Sequence, residues 1–307
     1  MSAAPPPEPL FVGVDVGGTK IVAGAVRGDQ VSGTFEHPTD TSSEATVIGG
    51  IESAAREAIE AFGAPAAVGV GVPSQIEHAT GRVLSSVNIP LEGEPLRDDM
   101  ARRLGVTVLI DNDANCAALA EAHAVGVRNL IMLTLGTGVG GGLILDGRPY
   151  RGAVGAAAEL GHIVVEFDGR PCQGLCRGRG HIETYATGVA ATRDAAEALG
   201  KGADSHVLIE RAKAKDAVAL EVLDGIARRL GATMGSLVNI FNPEVIVVGG
   251  GWGKAADEYL LGTARDEMMR EALSPGRELV RIVPAELGSD AGLVGAGFVA
   301  FEALDAG

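Results

Sequence analysis

Two stretches, FVGVDVGGTKIVAGAV over residues 11–26 and LIMLTLGTGVGGGLIL over 130–145, limit the folds open to this chain more than any other feature. Each is an apolar β-rich run, a glycine turn, and a second run that continues as strand. A dinucleotide-binding turn needs a helix directly after its glycines, so both read as hairpins and a dinucleotide oxidoreductase is disfavoured. Glycines in the turn Gly17-Gly18-Thr19-Lys20, and again around Thr137-Gly138, let backbone N–H groups approach an anion, with threonine hydroxyls beside them. Either turn alone is equally well an ordinary hairpin bend. Their recurrence implies two related halves, each presenting a phosphate-binding turn to a shared cleft.

The length agrees with that division. At 307 residues the chain exceeds one compact core, and two lobes are expected. They are drawn as a small N-terminal α/β lobe over 1–115 and a large C-terminal α/β lobe over 116–290, with a closing helix over about 291–307 that can pack back on the first. The net charge of −15 gives no basic footprint for nucleic acid, since the one dense basic patch is Arg177 with Arg179. No apolar run reaches the length of a membrane span, and the proline-rich lead MSAAPPPEP, read as disordered, has no signal-peptide pattern. With three cysteines a disulfide framework is not implied, and a reducing cytoplasm is expected.

Polar residues gather where α/β sheets place their ligands. A strand predicted over 106–110 delivers Asp111-Asn112-Asp113-Ala114-Asn115 onto a helical run, and helix capping explains one of these polar residues but not all four. Asp113 is the expected general base, Asn112 the partner of a substrate hydroxyl, and Asp111 a support for the turn. Asp15, at the end of the first strand, can hold a metal-bound water. Residues 73–90 read as irregular, with Asn88 on a loop that either reaches substrate or is a plain surface excursion. A helix is predicted over 43–62 and a long one over 216–241. After it, EVIVV runs into Gly249-Gly250-Gly251, where a flat adenine can lie on the backbone or the chain simply turns tightly.

The stretch ELGHIVVEFDGRPCQGLCRGRGHIE, from Glu159 to Glu183, sets His162, Cys172, Cys176 and His181 within a twenty-residue window. Two thiolates and two imidazoles are the ligand set of a closed, structural zinc site. Such a site fixes a loop, and here it would fix Glu159, His162 and Glu183 as one wall of a sugar pocket. Cys116 lies apart and reads as a small core residue.

GVDVGGTK, IDNDAN, LTLGTGVGGG, AELGH with its Cys/His loop ending HIE, and VIVVGGG together resemble the ROK family of sugar kinases in the actin-like ATPase superfamily, most of all its bacterial glucokinases. The resemblance covers nearly the whole chain. It implies an α/β fold of two ribonuclease-H-like lobes with an interlobe cleft, a homodimer, and transfer of the ATP γ-phosphate, with Mg2+, to the C6 hydroxyl of a hexose. It places the catalytic aspartate on Asp113 and sugar contacts on Asn112, Glu159, His162 and Glu183, with Asn88 nearby. Nucleotide contacts fall on Asp15, Gly17, Gly18, Thr19, Lys20, Thr137, Gly138, Gly249 and Gly250. Structural Zn2+ falls on His162, Cys172, Cys176 and His181, His162 facing both zinc and sugar. Family zinc loops usually read CxCGxxGCxE, whereas this one has Cys172-x3-Cys176 and histidine at 181. Repressor members carry an N-terminal helix-turn-helix, which is not expected here because the first motif begins at Gly13. Glucose is the expected substrate. A kinase for mannose, fructose or an N-acetylhexosamine, and a catalytically weak sugar sensor, are the alternatives.

Overall fold

The computed structural model describes residues 9–305 apart from positions 29 and 175. All of the proline-rich lead except Pro9 lies outside the described residues. The chain forms two compact units. One contains the residues up to Gly126, the segment Arg148–Ala157 and the chain from Ser289; the other contains Val127–Gly147 and Ala158–Gly288.

The first unit opens with β1 (Phe11–Val16), β2 (Lys20–Arg27) and β3 (Gln30–Pro38), followed by α1 (Glu44–Phe62) and β4 (Ala67–Val72). Ser43 caps α1 through a reciprocal pair of bonds with Thr46, and Val47, Ile48, Ile51, Ala54, Ala55 and Ala58 form its buried stripe. Residues 73–90, expected to be irregular, include a ribbon of β5 (Gln75–Glu77) and β6 (Arg82–Ser85). Strands of three and four residues fall below what period-two patterning can reveal. Then come α2 (Leu96–Leu104), β7 (Val108–Asn112) and α3 (Asp113–Val125). A boundary drawn after residue 115 would cut α3. In the structure α3 stays whole in the first unit.

The second unit begins with β8 (Leu130–Leu135) and β9 (Val139–Leu145), and the short β10 (Arg148–Pro149) follows in the segment that belongs to the first unit. Past the Cys/His loop run α4 (Gly188–Leu199), α5 (Ser205–Lys213) and α6 (Ala217–Phe241). They lead to β11 (Val245–Gly249), α7 (Gly251–Glu271), α8 (Gly276–Leu279) and β12 (Arg281–Pro284). Finally α9 (Ala291–Asp305) returns to the first unit.

The two sheets have one plan: β3-β2-β1-β4-β7 and β10-β9-β8-β11-β12. In each, a hairpin supplies the antiparallel side, and two further strands run parallel to the first strand of that hairpin. Parallel strands must be covered on both faces, which is why AVGVGV of β4 and VIVVG of β11 are buried along their whole length. Helix α9 covers β1 and β4 at backbone contact. A Cβ on Gly13 would stand 2.3 Å from Leu293 O, and one on its register partner Gly69 would stand 1.7 Å from Ala296 O, so only glycine fits there.

Candidate functional site

In the first unit the sheet register lines up Asp15, Gly71 and Asp111 across the carboxyl ends of β1, β4 and β7. Ligands of open α/β sheets bind at such ends. Gly71 keeps the middle of the row free of side chain, and a Cβ there would already meet Cys116 Sγ at 3.1 Å. Strand β7 runs two residues beyond its expected end, so Asn112 becomes the N-cap of α3 and Asp113 its first helical residue. Asn112 Oδ1 accepts from Ala114 N at 3.0 Å and Asn115 N at 3.3 Å, while its amide donates to Ser74 O at 3.2 Å. The side chain expected to meet a substrate hydroxyl is therefore also the helix cap.

Burial pushes the Asp113 carboxyl above the usual carboxylate range, against hydrogen bonds from Ala114 N–H and Asn112 that favour the ionised form. Asp15 is pushed up to about 6, first by burial and second by the Asp113 charge, with Lys20 pulling the other way. Its carboxylate lies against the first turn of α9, where a Cβ on Gly292 would approach it to 2.6 Å. Two adjoining acids with raised pKa values suit a proton acceptor beside a cation.

Asp111 is the buried support. It accepts from Asn112 N at 2.7 Å, Asn115 Nδ2 at 2.9 Å and Arg151 Nε at 2.6 Å, and Arg151 also grips Glu302 at 2.9 Å. Sequence reading misses Arg151 and Glu302 because they lie 40 positions from Asp111 and 151 from Arg151 respectively, with no local pattern marking either. The turn after β1 closes through Gly17 N to Lys20 O at 2.8 Å and is braced by Thr39 Oγ1, which donates to Gly17 O at 2.7 Å. Gly18 and Thr19 are exposed, and Lys20 spends its ammonium on Glu36 at 2.9 Å. Asn88 is exposed on its loop.

In the second unit Thr134 and Gly249 are register partners on β8 and β11, mirroring the row in the first. Gly250, at φ +84, presses against Leu135, so the expected adenine turn and the Thr137-Gly138 turn adjoin. Gly250 is the N-cap of α7, and Gly188, the first residue of α4, donates its N–H to Gly136 O at 2.9 Å. Thr137 is exposed. Glu183 Oε2 accepts the Val139 N–H at 3.1 Å, so the end of the Cys/His loop is tied to the same turn. Glu159 is exposed and precedes the 3-10 turn Leu160–His162.

His162, Cys172, Cys176 and His181 converge, one donor atom from each lying within 4.8 Å of all the others. His162 Nδ1 is 3.2 Å from His181 Nδ1, Cys172 Sγ 3.6 Å from His162 Nδ1, and Cys176 Sγ 3.7 Å from His181 Nδ1. A zinc tetrahedron with ordinary bond lengths has N···N edges of about 3.3 Å and N···S edges of about 3.6 Å, so the donor set fits that ion. Both histidines turn Nδ1 to the cluster, which leaves Nε2 of the exposed His162 for another partner. No helix among the described residues is long and apolar enough to cross a membrane.

A sheet plan repeated twice, with acidic strand ends in one copy and glycine turns in the other, defines a protein of the actin-like ATPase fold. Residues 11–302 match the ROK family model, and the chain belongs to the ROK family. It is 34% identical to a glucokinase of Halalkalibacterium halodurans over 94% of both chains. Among solved structures it resembles a ROK hexokinase from Thermus thermophilus, with a TM-score of 0.85 and 34% identity over 97% of this chain and 100% of that one. It also resembles a ROK family glucokinase from Streptomyces griseus in complex with glucose and AMPPNP, with a TM-score of 0.78 and 35% identity over 95% and 99%.

Proposed function

We propose that this chain is an ATP-dependent glucokinase that transfers the γ-phosphoryl group of ATP to the C6 hydroxyl of glucose. The observation that carries the proposal is Asp113: a partly buried carboxylate of raised basicity, at the first residue of a helix that its neighbour Asn112 caps. Glucose is supported by the glucokinase relative and by the glucose complex of the similar Streptomyces griseus enzyme.

Each residue then has a chemical task. Asp113 accepts the proton of the hydroxyl as that oxygen attacks phosphorus, and Asn112 offers its remaining amide hydrogen to a neighbouring sugar hydroxyl. Glu159, the Nε2 of His162 and the second oxygen of Glu183 receive further hydroxyls, with Asn88 at the margin. Backbone N–H groups of the Gly17-Gly18-Thr19-Lys20 and Thr137-Gly138 turns receive phosphate oxygens, and Gly249-Gly250 carries the adenine. Mg2+ near Asp15 would supply charge neutralisation at the phosphates, and the acidity shared by Asp15 and Asp113 fits a cation there. Zn2+ on His162, Cys172, Cys176 and His181 would be structural.

A reducing cytoplasm is consistent with three free cysteines. A homodimer is consistent with the exposed apolar residues Ile240, Leu273 and Leu279 of the second unit. The test is ATP consumption against a panel of hexoses with magnesium, using Asp113→Asn as control. A glucose signal that the variant loses by ~1000-fold or more, with glucose binding retained, is expected. Equal loss of binding would reduce Asp113 to a structural role, and silence across the panel in the native chain would favour the sensor.

A further inference from the structure

The Cys/His loop has two zones. Its root is a ribbon in which Val165 N donates to Gly180 O at 2.8 Å, Ile182 N to Ile163 O at 2.9 Å and Gly180 N to Arg170 O at 2.8 Å. Its tip, residues 171–179, carries both cysteines and is closed by Cys172 N to Gly178 O at 3.0 Å. The histidines of the cluster stand at the root, so a metal there would tie tip to root.

A second fastening grips the root alone. The ring of Tyr185, a residue only 2% exposed, is contacted by two guanidinium groups, Arg170 Cζ at 4.8 Å from its centroid and Arg229 Cζ at 4.7 Å. Guanidinium is planar and weakly hydrated, so it stacks on an aromatic face at low desolvation cost. The Tyr185 hydroxyl accepts the Arg170 backbone N–H at 2.9 Å. Both cations are tied in turn: Arg170 to Asp194 at 2.9 Å, and Arg229 to Glu166 of the loop at 3.3 Å. Arg193 and Arg170 both reach Thr184 O, between Glu183 and Tyr185. None of these contacts involves a metal ligand.

We infer that Tyr185, clamped by Arg170 and Arg229, is a positioning residue that holds the root of the loop, with His162 and Glu183, independently of the metal. The inference rests on the proposed function only in assigning those two residues to the hexose. Metal sets the tip, and the clamp sets the wall.

The test is amide hydrogen exchange followed by mass spectrometry on the full chain, native and chelator-treated, alongside steady-state kinetics. After metal removal, exchange in 171–179 is expected to rise ~100-fold while the root amides of Val165, Arg170 and Ile182 keep their protection. In metal-loaded Tyr185→Leu the root amides lose protection, and the glucose KM rises ~10-fold or more with kcat within ~3-fold. Tyr185→Phe, which keeps the ring under both guanidiniums, restores most of that KM. Arg229→Met, which removes one face of the clamp from α6, gives a milder form of the same change and serves if the leucine variant does not fold. Root amides that exchange as fast as the tip in chelator-treated native protein would overturn the inference, as would unchanged root protection in both clamp variants. Loss of root protection with an unchanged KM would uphold the clamp and overturn the assignment of His162 and Glu183 to the sugar.

Discussion

Arg151 Nε donates to Asp111 Oδ2 at 2.6 Å, which fastens a buried carboxylate two residues ahead of Asp113 to a cation 40 positions further along the chain. Removing one partner of a buried pair leaves the other charge without compensation. Arg151→Met is therefore expected to lower the stability of the first unit by about 3 kcal/mol, read from its denaturant midpoint. Glu302→Gln leaves the Asp111 contact standing, and about 1 kcal/mol is expected. Equal effects would show that the arginine is not held chiefly by Asp111.

Gly138 faces Glu183, and a Cβ there would stand 2.7 Å from Oε2. The carboxylate is the mobile end of a side chain, so it moves aside and gives up the Val139 N–H. Gly138→Ala should change stability by about 1 kcal/mol or less yet raise KM for ATP or glucose ~10-fold. A variant with native kinetics would mean that the Glu183 to Val139 bond has no part in binding.

Asp15 gives a pH dependence of known sign. Between the ordinary 3.8 and about 6 the folded chain holds a proton that the unfolded chain has released. Its contribution to stability is present below 3.8 and is lost as pH rises through about 6. Asp15→Asn should accordingly be more stable than the native chain at pH 7, by about 2 kcal/mol, and the gain should vanish near pH 4. Turnover should fall in the same variant if Asp15 orders the magnesium. Paired thermal melts across pH 4–8 test the sign.

Cys176→Ala removes one of four converging donors. Zinc content, measured by plasma mass spectrometry, should fall relative to the native chain, and glucose KM should stay within ~3-fold because the fastening at Tyr185 holds His162 and Glu183 without the metal. A zinc-free protein whose glucose KM rises ~10-fold or more would show that the metal, and not Tyr185, sets that wall.

Trp252 is the only tryptophan of the chain and sits, buried, in the first turn of α7 beside Gly250. Its Cβ lies 3.5 Å from the place a Cβ would take on Gly188, the first residue of α4. A non-hydrolysable ATP analogue should change its fluorescence emission, while glucose alone should change it little. The reverse order would place the nucleotide elsewhere.

The parts of this molecule that were legible from sequence are those with strong local chemistry. Glycine turns flanked by β-branched runs marked both hairpins, and the apolar steps through Leu223, Ile226, Leu230, Met234 and Leu237 marked α6. Helix α4 is harder to read because its buried stripe, Ala190, Ala191 and Ala195, is alanine throughout, with no large apolar side chain to mark it. Helix α7 did carry one: Trp252, Ala256, Leu260, Ala264 and Met268 recur every four residues, and the glycines and charges between them masked it. For the site, sequence could name the four residues of the Cys/His cluster because they share one loop. It could not name Arg151, Glu302 or Tyr185 with Arg229, whose partners meet only through tertiary packing.

The glycine-paved approach of α9 to β1 and β4 bears on how the chain is made. Those strands leave the ribosome early, whereas the helix that seals them follows after the whole second unit has been synthesised. Until then the nascent first sheet lacks the helix that packs on Gly13 and Gly69. The second unit, whose strands and helices are contiguous apart from Arg148–Ala157, faces no such delay. Vectorial synthesis would therefore complete the two units in the reverse of the order in which they begin, with the proposed base Asp113 among the last residues to reach its final surroundings.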